Sequence, residues 1–517
     1  MSAPERGGRG LDPVGLQVLV GALRAACDEM GAVLIRSAYS ANIKERHDCS
    51  TALFDSAGEL VMQAEHIPVH LGSMPDAVAA VLDEDHRPGD AWILNDPYRG
   101  GTHLPDVTLI SPIFDPGGGG SDRLLGFAAS RAHHADIGGP TPGGMPADSV
   151  RLEDEGVVIP PTRATDEVLE GLAQQMRNPS QRLADLRAQR AANLTGERRL
   201  LELLEREGPD VLRAGMAEIL DYAERRTRAR LSELPDGTYE AEDVLEDDAA
   251  GPEKDIRLCA SARIEGDRLT LDFTGTDAQV EGNLNCPLSV TKSAAFFAVR
   301  VVTDPDAPPS AGAFRPIEVI APEGCLLNAR FPAAVVAGNV ETSSRVADLV
   351  LSALGGATEV PAQGQGTMNN LTFAGESLTY YETLGGGQGA CPSADGPDAI
   401  HVAMSNTLNT PTEALETEFP VRIREHSVRR GSGGTGEHHG GDGLVRELEA
   451  LAPLGFTLIT ERRAHAPRGR EGGADGERGR NLLNGEPLPS KAAGNLRPGD
   501  RLRLETPGGG GYGAPGG

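Results

Sequence analysis

Residues 95–106 read NDPYRGGTHLPD, and the run VTLISPIF follows at 107–114. An ordinary turn would use the Gly and the Pro. It has no need of an imidazole and a carboxylate three positions apart, His103 and Asp106, at the mouth of a strand. A second concentration lies in RAHHADIGG (131–139), which holds His133, His134 and Asp136. Imidazole nitrogens and carboxylate oxygens are the donor set for divalent zinc, manganese or iron, and a site that does chemistry keeps one position open. Seven of the twelve histidines precede residue 140, so a site built from imidazoles is expected in the N-terminal part.

Two strands must bring these groups together. VTLISPIF and RLLGFAAS (123–130) are joined by DPGGGGSD. That connection is too short for a parallel crossover, so an antiparallel hairpin is predicted. The start of its first strand and the end of its second then lie at one end, which places His103 and Asp106 beside residues 131–136. Adjacent side chains on an extended backbone point to opposite faces, so only one of His133 and His134 joins His103. The reading adopted is His133, with His134 or Asp136 behind it to orient a ligand. The competing reading is a set of polar loop-end residues bonded only to protein.

Other groups are weighed beside these. In ERHDCS (45–50), Asp48 is a possible further ligand. His66 and His70, in EHIPVHLGSMP, are four apart, but Pro68 between them argues against a helical metal pair. They read instead as hydrogen-bonding groups around a pocket. GNVETSSR (338–345) leads into a helix predicted at 342–354. Thr342 or Ser343 would be its N-cap, and Glu341 is either part of that capping or a general base. GSGGTG (431–436) matches GxGxxG, but EHHGGDG follows it where a dinucleotide fingerprint needs a helix, so that function is excluded. GxxxxGK[ST], GxSxG and HExxH are all missing. The chain therefore has no recognised ATP loop and no standard serine-hydrolase or zincin signature.

The net charge of -28 and a single tryptophan, Trp92, argue against nucleic acid and anionic membranes as partners. No run of about 18 apolar residues is present to span a bilayer. Six scattered cysteines without a CxxC read as reduced thiols, and the polar N-terminus is unlike a signal peptide, so a cytoplasmic protein is expected.

The element pattern predicts an α+β protein, large and multi-layered, with antiparallel and mixed sheets and a central helical segment. The divisions read from it are a disordered lead at 1–12, an N-terminal α+β region with the hairpin at 13–163, a helical segment at 164–236, a mixed, strand-rich region at 237–505, and a flexible or turn-rich Gly-rich tail at 506–517. Within these, one or two helices are expected at 13–40, a hairpin at 51–64 and a helix at 74–84. The helical segment should break at Asn178-Pro179 and at Thr195-Gly196.

Taken together, LNDPYRGGTHLPDVTLISPIF, SRAHHADIGG, AGNVETSSR, YYETLGGGQGA, SNTLNTPTEALE, RRGSGGTGEHHGGDGLVREL and TPGGGGYG run in one order over about residues 12–515. This ordered set resembles the hydantoinase B family, which includes the B-type polypeptides of N-methylhydantoinase and 5-oxoprolinase and related polypeptides of acetone carboxylase and caprolactamase. The resemblance implies a hetero-oligomer with a hydantoinase A-type partner, which uses ATP and magnesium to phosphorylate the carbonyl oxygen of a lactam or imide. The B-type chain would then hydrolyse the activated intermediate, a divalent metal lowering the pKa of water. Carried over by motif, the metal ligands are His103, Asp106 and His133, with Asp48 a candidate fourth. His134, Asp136 and Glu341 are the candidates for acid–base or supporting roles. The family often has a second histidine within the segment HVAMSNT (401–407), and an arginine where Glu437-His438 stands. Two other functions fit the same residues: a component of an ATP-dependent ketone carboxylase, and a non-catalytic scaffold with a structural metal.

Overall fold

The computed structural model describes residues 12–65, 67–117, 123–250, 254–376 and 378–515. His66, the Gly-rich turn at 118–122, all of the expected lead except Asp12, and the last two residues of the tail lie outside the described residues. Asp12 itself is the N-cap of the first helix, its carboxylate accepting from Gly15 N at 2.7 Å. Pro13 supplies the first helical position, where a missing N–H costs nothing. The helix runs unbroken over Pro13–Ser37 and buries Leu16, Leu19, Leu23, Met30 and Leu34.

The N-terminal sheet contains β1 (Cys49–Asp55), β2 (Leu60–Glu65), β3 (Trp92–Leu94), β4 (Asp106–Asp115), β5 (Arg123–His133) and β6 (Thr162–Arg163), in the order β2-β1-β5-β4-β3-β6. β4 and β5 pair antiparallel, with Asp106 opposite His133 and Val107 opposite Ala132. The two-residue period sorts β5 by face. Ala128 and Ala132 pack under the first helix and the helix Pro179–Glu207, and Leu125 joins them because the ladder slips by one residue between Gly126 and Leu124. Phe127 and Ala129 face a separate core with Trp92, Met74 and Val78. The helix expected at 74–84 is regular only over Met74–Ala79 and continues as turns.

The helical segment contains Asp166–Ala173, Pro179–Glu207 and Pro209–Leu231. Asn178, in the left-handed region at φ 56°, starts the second of these as expected. The break expected at Thr195-Gly196 does not form. Gly196 instead lets this helix close on the first one, where an added Cβ would lie 2.5 Å from Met30 Sδ and 3.2 Å from Ala128 Cβ. The chain turns at Gly208-Pro209, with Gly208 at φ 82°.

A second sheet, β7 (Gly237–Leu245), β8 (Ile256–Glu265), β9 (Arg268–Asp272) and β10 (Ile317–Ile320), is mixed because β10 runs parallel to β9. It packs on the helices Leu288–Thr303 and Ser343–Leu354. The remaining strands are β11 (Asn370–Ala374), β12 (Thr379–Glu382), β13 (Val421–Arg429), β14 (Gly443–Ala450), β15 (Leu454–Ile459), β16 (Arg480–Leu483), β17 (Glu486–Leu488), β18 (Lys491–Leu496) and β19 (Arg501–Glu505). A third sheet, β12-β11-β15-β18, shares a core with a fourth, β13-β14-β19-β16-β17. The architecture is the expected multi-layered α+β.

The Gly-rich C-terminal stretch is not a loose end. Residues 506–511 are buried. Gly509 N donates to Gly441 O at 2.9 Å, Gly434 N to Gly509 O at 2.8 Å, and Gly510 N to Gln363 O at 2.8 Å. A methyl on Gly509 would overlap the backbone of Gln388. These glycines serve close backbone packing. Among the described residues no helix is long and apolar enough to cross a membrane.

Candidate metal centre

β4 begins at Asp106 and β5 ends at His133, directly across the ladder. His103 precedes Asp106 in a tight turn, with Asp106 N donating to His103 O at 3.1 Å. One ligand atom from each of His103, Asp106 and His133 lies within 4.8 Å of the others, and all three residues are buried. Asp106 is the hub. Its Oδ1 is 3.2 Å from His103 Nε2 and 3.4 Å from His133 Nδ1. Its Oδ2 accepts from Thr102 Oγ1 at 2.7 Å, His70 Nε2 at 3.3 Å and Asn339 Nδ2 at 3.4 Å. One oxygen is thus fixed by protein donors while the other faces two imidazoles.

The remaining ring contacts test the fit to a cation. His103 Nδ1–H donates to Val336 O at 3.4 Å. That leaves a lone pair on Nε2 facing Asp106 Oδ1, and two lone pairs at 3.2 Å repel unless a proton or a cation lies between them. His103 Nε2 and His133 Nε2 are both buried without a hydrogen-bond partner. An orphaned His103 Nε2 and a buried His133 Nδ1 facing one carboxylate oxygen suit a divalent cation's donor set. Burial alone would raise the Asp106 carboxyl, but His103 and His70 overcome it and hold the group well below the usual carboxylate range. Burial lowers His133 to about 4, so its ring is neutral at pH 7, the form that ligates.

The surrounding residues fix these rings. Tyr381 stacks on His133, with centroids 4.5 Å apart and planes 9° from parallel. Its hydroxyl donates to Asn370 Oδ1 at 2.7 Å, and Asn370 Nδ2 donates to Glu341 Oε1 at 2.7 Å. The buried guanidinium of Arg46 reaches Tyr381 O and Thr383 Oγ1, each at 2.7 Å. On the other side, Glu155 Oε1 accepts from Val335 N and Val336 N, each at 2.9 Å, and so sets the carbonyl that holds His103. His70 Nδ1 meets Ser50 Oγ at 3.0 Å.

The other expected site residues are elsewhere. His134 falls on the helix-facing side of β5, as alternation requires, and its Nε2 meets Gln189 Oε1 at 3.0 Å. The Asp136 carboxylate organises a turn, accepting from Gly138 N, Gly143 N and Arg177 N, with Arg177 Nη1 at 3.2 Å. Neither bonds a member of the triad. Glu341 is no capping partner, because Gly338–Thr342 forms a π turn continuous with the helix Ser343–Leu354 and Thr342 Oγ1 donates to Leu284 O. Glu341 is buried, and burial pushes its carboxyl up to about 8. Asp48 lines the same small cavity as Asp106 and His133, and its carbonyl accepts from His133 N at 3.1 Å, but its carboxylate lies outside the cluster of three. His401 braces the segment forming another wall, with Nδ1 2.7 Å from Ser405 Oγ. His438 is remote, 3.5 Å from Asp395 in the Gly-rich layer.

Sequence reading missed Thr102, Asn339, Tyr381 and Arg46. Thr102 sits within GGTHLPD and could have been read as a partner to Asp106 four residues on. Asn339 comes from 233 positions away, and no local pattern marks it. The cavity has about 20 Å³ open to a water centre, enough for one water-sized molecule.

Three comparisons bear on this geometry. The family model described as hydantoinase B/oxoprolinase matches residues 12–515. The chain is 39% identical to a 5-oxoprolinase of Dictyostelium discoideum over 524 residues, 97% of this chain and 40% of that protein. It is 38% identical to 5-oxoprolinase 1 of Arabidopsis thaliana over 543 residues, 97% of this chain and 42% of that protein. Thus it spans about two fifths of the length of these two relatives. Among solved structures, an ATP-dependent caprolactamase from Pseudomonas jessenii superposes with a TM-score of 0.90 at 30% identity, over 98% of this chain and 92% of that one. Acetone carboxylase superposes with a TM-score of 0.87 at 18% identity, over 97% of this chain and 76% of that one, a likeness of fold alone.

Proposed function

The chain belongs to the hydantoinase B/oxoprolinase family, and from that premise we propose that it is the B-type half of a cytoplasmic, ATP-dependent cyclic-amide hydrolase that opens 5-oxoproline or a hydantoin. The observation that carries this reading is the convergence of His103, Asp106 and His133 on one buried point. The names of the two oxoprolinases and of the caprolactamase support ring opening. A hydantoinase A-type partner would convert the carbonyl oxygen of the lactam or imide to a phosphate ester. That step would leave an electrophilic C=N carbon. Water would add there, the ring C–N bond would break with the nitrogen leaving as the amine, and the acyl phosphate that remains would be hydrolysed to carboxylate and inorganic phosphate.

His103, Asp106 and His133 would hold a divalent zinc, manganese or iron, and Asp48 in the cavity wall is a carboxylate within the same enclosure to serve as a fourth donor. When bound, such a cation supplies Lewis acidity, which acidifies water and polarises oxygen. The chain's own part is to hold the donors still. Thr102, His70 and Asn339 lock Asp106 Oδ2 and so aim Oδ1, Tyr381 sets the plane of His133, and Val336 sets His103. The cavity keeps about one water-sized space lined by Asp106 and His133. A five-membered ring does not fit that space, so substrate must part its walls. Ser405 and Thr407 lie on an irregular segment of that wall, as do Ile67, Met368 and Thr383.

The test is to combine the chain with an A-type partner, ATP and magnesium, and to assay phosphate release and ring-opened product with 5-oxoproline, hydantoin and acetone in turn. Lactam- or imide-dependent turnover lost in His103→Ala supports the proposal. Turnover that depends on the ketone instead assigns the chain to carboxylation. Full coupled activity in His103→Ala leaves the scaffold role.

A further inference from the structure

A cavity of about 240 Å³ lies at the start of the helix Pro179–Glu207. It shares no lining residue with the cavity at the metal centre: Tyr380 lines one and Tyr381 the other, and Ala135 replaces His133. Four of its lining residues carry buried polar atoms with no hydrogen-bond partner, Ser40 Oγ, Asn42 Nδ2, Thr379 Oγ1 and Arg182 Nε. Ser40, Asn42 and Arg182 are 4%, 1% and 2% exposed, so bulk water does not satisfy them.

The charge there is loosely met. Asp185 is the acidic neighbour of Arg182, but its Oδ1 is committed to Tyr39 N at 2.7 Å and Ser40 N at 3.1 Å. Its Oδ2 is 3.4 Å from Arg182 Nη2, which reaches Gln181 Oε1 at the same distance. A buried guanidinium with only long contacts has donors to spare. The 29-residue helix also begins at this cavity, with no side-chain cap on its first turn, and so adds positive potential. A guanidinium, an amide nitrogen, two hydroxyls and a helix start together form an excess of donors. Such a set calls for a small ligand rich in acceptors, and Glu418 stands at the exposed rim.

We propose that this cavity is a second ligand site for a compact oxyanion, a small carboxylate or inorganic phosphate, gripped by Arg182 with Ser40, Asn42 and Thr379. The inference does not rest on the metal or on the hydrolase reading. The test is calorimetric titration of the full-length protein with inorganic phosphate and, separately, with acetate, for wild type, Arg182→Met and Thr379→Val. At least one probe should bind the wild type at one site per chain, and which probe binds tells phosphate from carboxylate. Affinity should fall about tenfold or more in Arg182→Met, where a charge-assisted bond is lost, and about threefold in Thr379→Val. Thr379→Val removes one hydroxyl at constant shape, so it answers the question even if Arg182→Met fails to fold. Failure of both probes to bind, or equal affinity in Thr379→Val and wild type, overturns the proposal. So does a crystal structure at saturating probe with only water in the cavity.

Discussion

His133 Nδ1 lies 3.4 Å from Asp106 Oδ1, straight across the last rung of the β4–β5 ladder. Strand pairing therefore does the first part of building the site. The register that seats Ala132 against Val107 also delivers an imidazole to a carboxylate, and the turn at His103 adds the second ring.

Asp106→Asn should keep the fold but lose the site. The amide oxygen can still accept from Thr102 on one side, while an uncharged NH2 replaces the oxygen that faces His103 and His133. Bound divalent metal per chain, measured after dialysis against a weak chelator, should fall at least about tenfold. Unchanged metal content would show that Asp106 is not a donor.

Tyr381→Phe and Tyr381→Leu should separate two roles. The Phe variant keeps the ring over His133 but leaves Asn370 Oδ1 unpaired, which costs about 1–3 kcal/mol in denaturant unfolding. Its metal affinity should be nearly that of wild type. The Leu variant removes the stacking surface, and its metal affinity should fall as well.

The strand hairpin and the triad were legible because they obey local rules. A Gly-rich connection forced β4 and β5 antiparallel, and alternation allowed only one of the two adjacent histidines to face Asp106. The same alternation sends His134 to Gln189. Asp136 and Glu341 were harder. The first is spent on backbone N–H groups of a turn, and the second reaches the site through Asn370 and Tyr381 and through the backbone of Met368, contacts between segments far apart in the chain. Thr195-Gly196 reads as a break because local propensity disfavours glycine in a helix. Contact with Met30 gives that glycine a packing reason instead.

Gly509→Ala should be severely destabilising, about 3 kcal/mol or more, because the new methyl would collide with the carbonyl of Gln388, which cannot swing away as a side chain could. A thermal melt near that of wild type would mean the Gly-rich layer is looser than its hydrogen bonds imply.

Glu155 gives a pH signature. Burial pushes its carboxyl up to about 8 from an ordinary value of 4.5, so the folded state holds its proton over a range where the unfolded chain has released it. Its contribution is therefore largest below the unfolded value and falls as pH rises towards about 8. Urea unfolding of Glu155→Gln should show a flatter decline between about pH 5 and 8 than wild type, by an amount on the order of a few kcal/mol across that window. Parallel profiles for the two proteins would rule out a protonated Glu155 in the fold.

The central claim is that two histidines and one aspartate hold a single divalent cation. Elemental analysis of the purified full-length protein, alongside His133→Ala, tests it most directly. One equivalent of zinc, manganese or iron per chain in the wild type, and a small fraction of that in the variant, is the predicted result. Full metal content in His133→Ala, or none in wild-type protein after supplementation with all three metals, would contradict it.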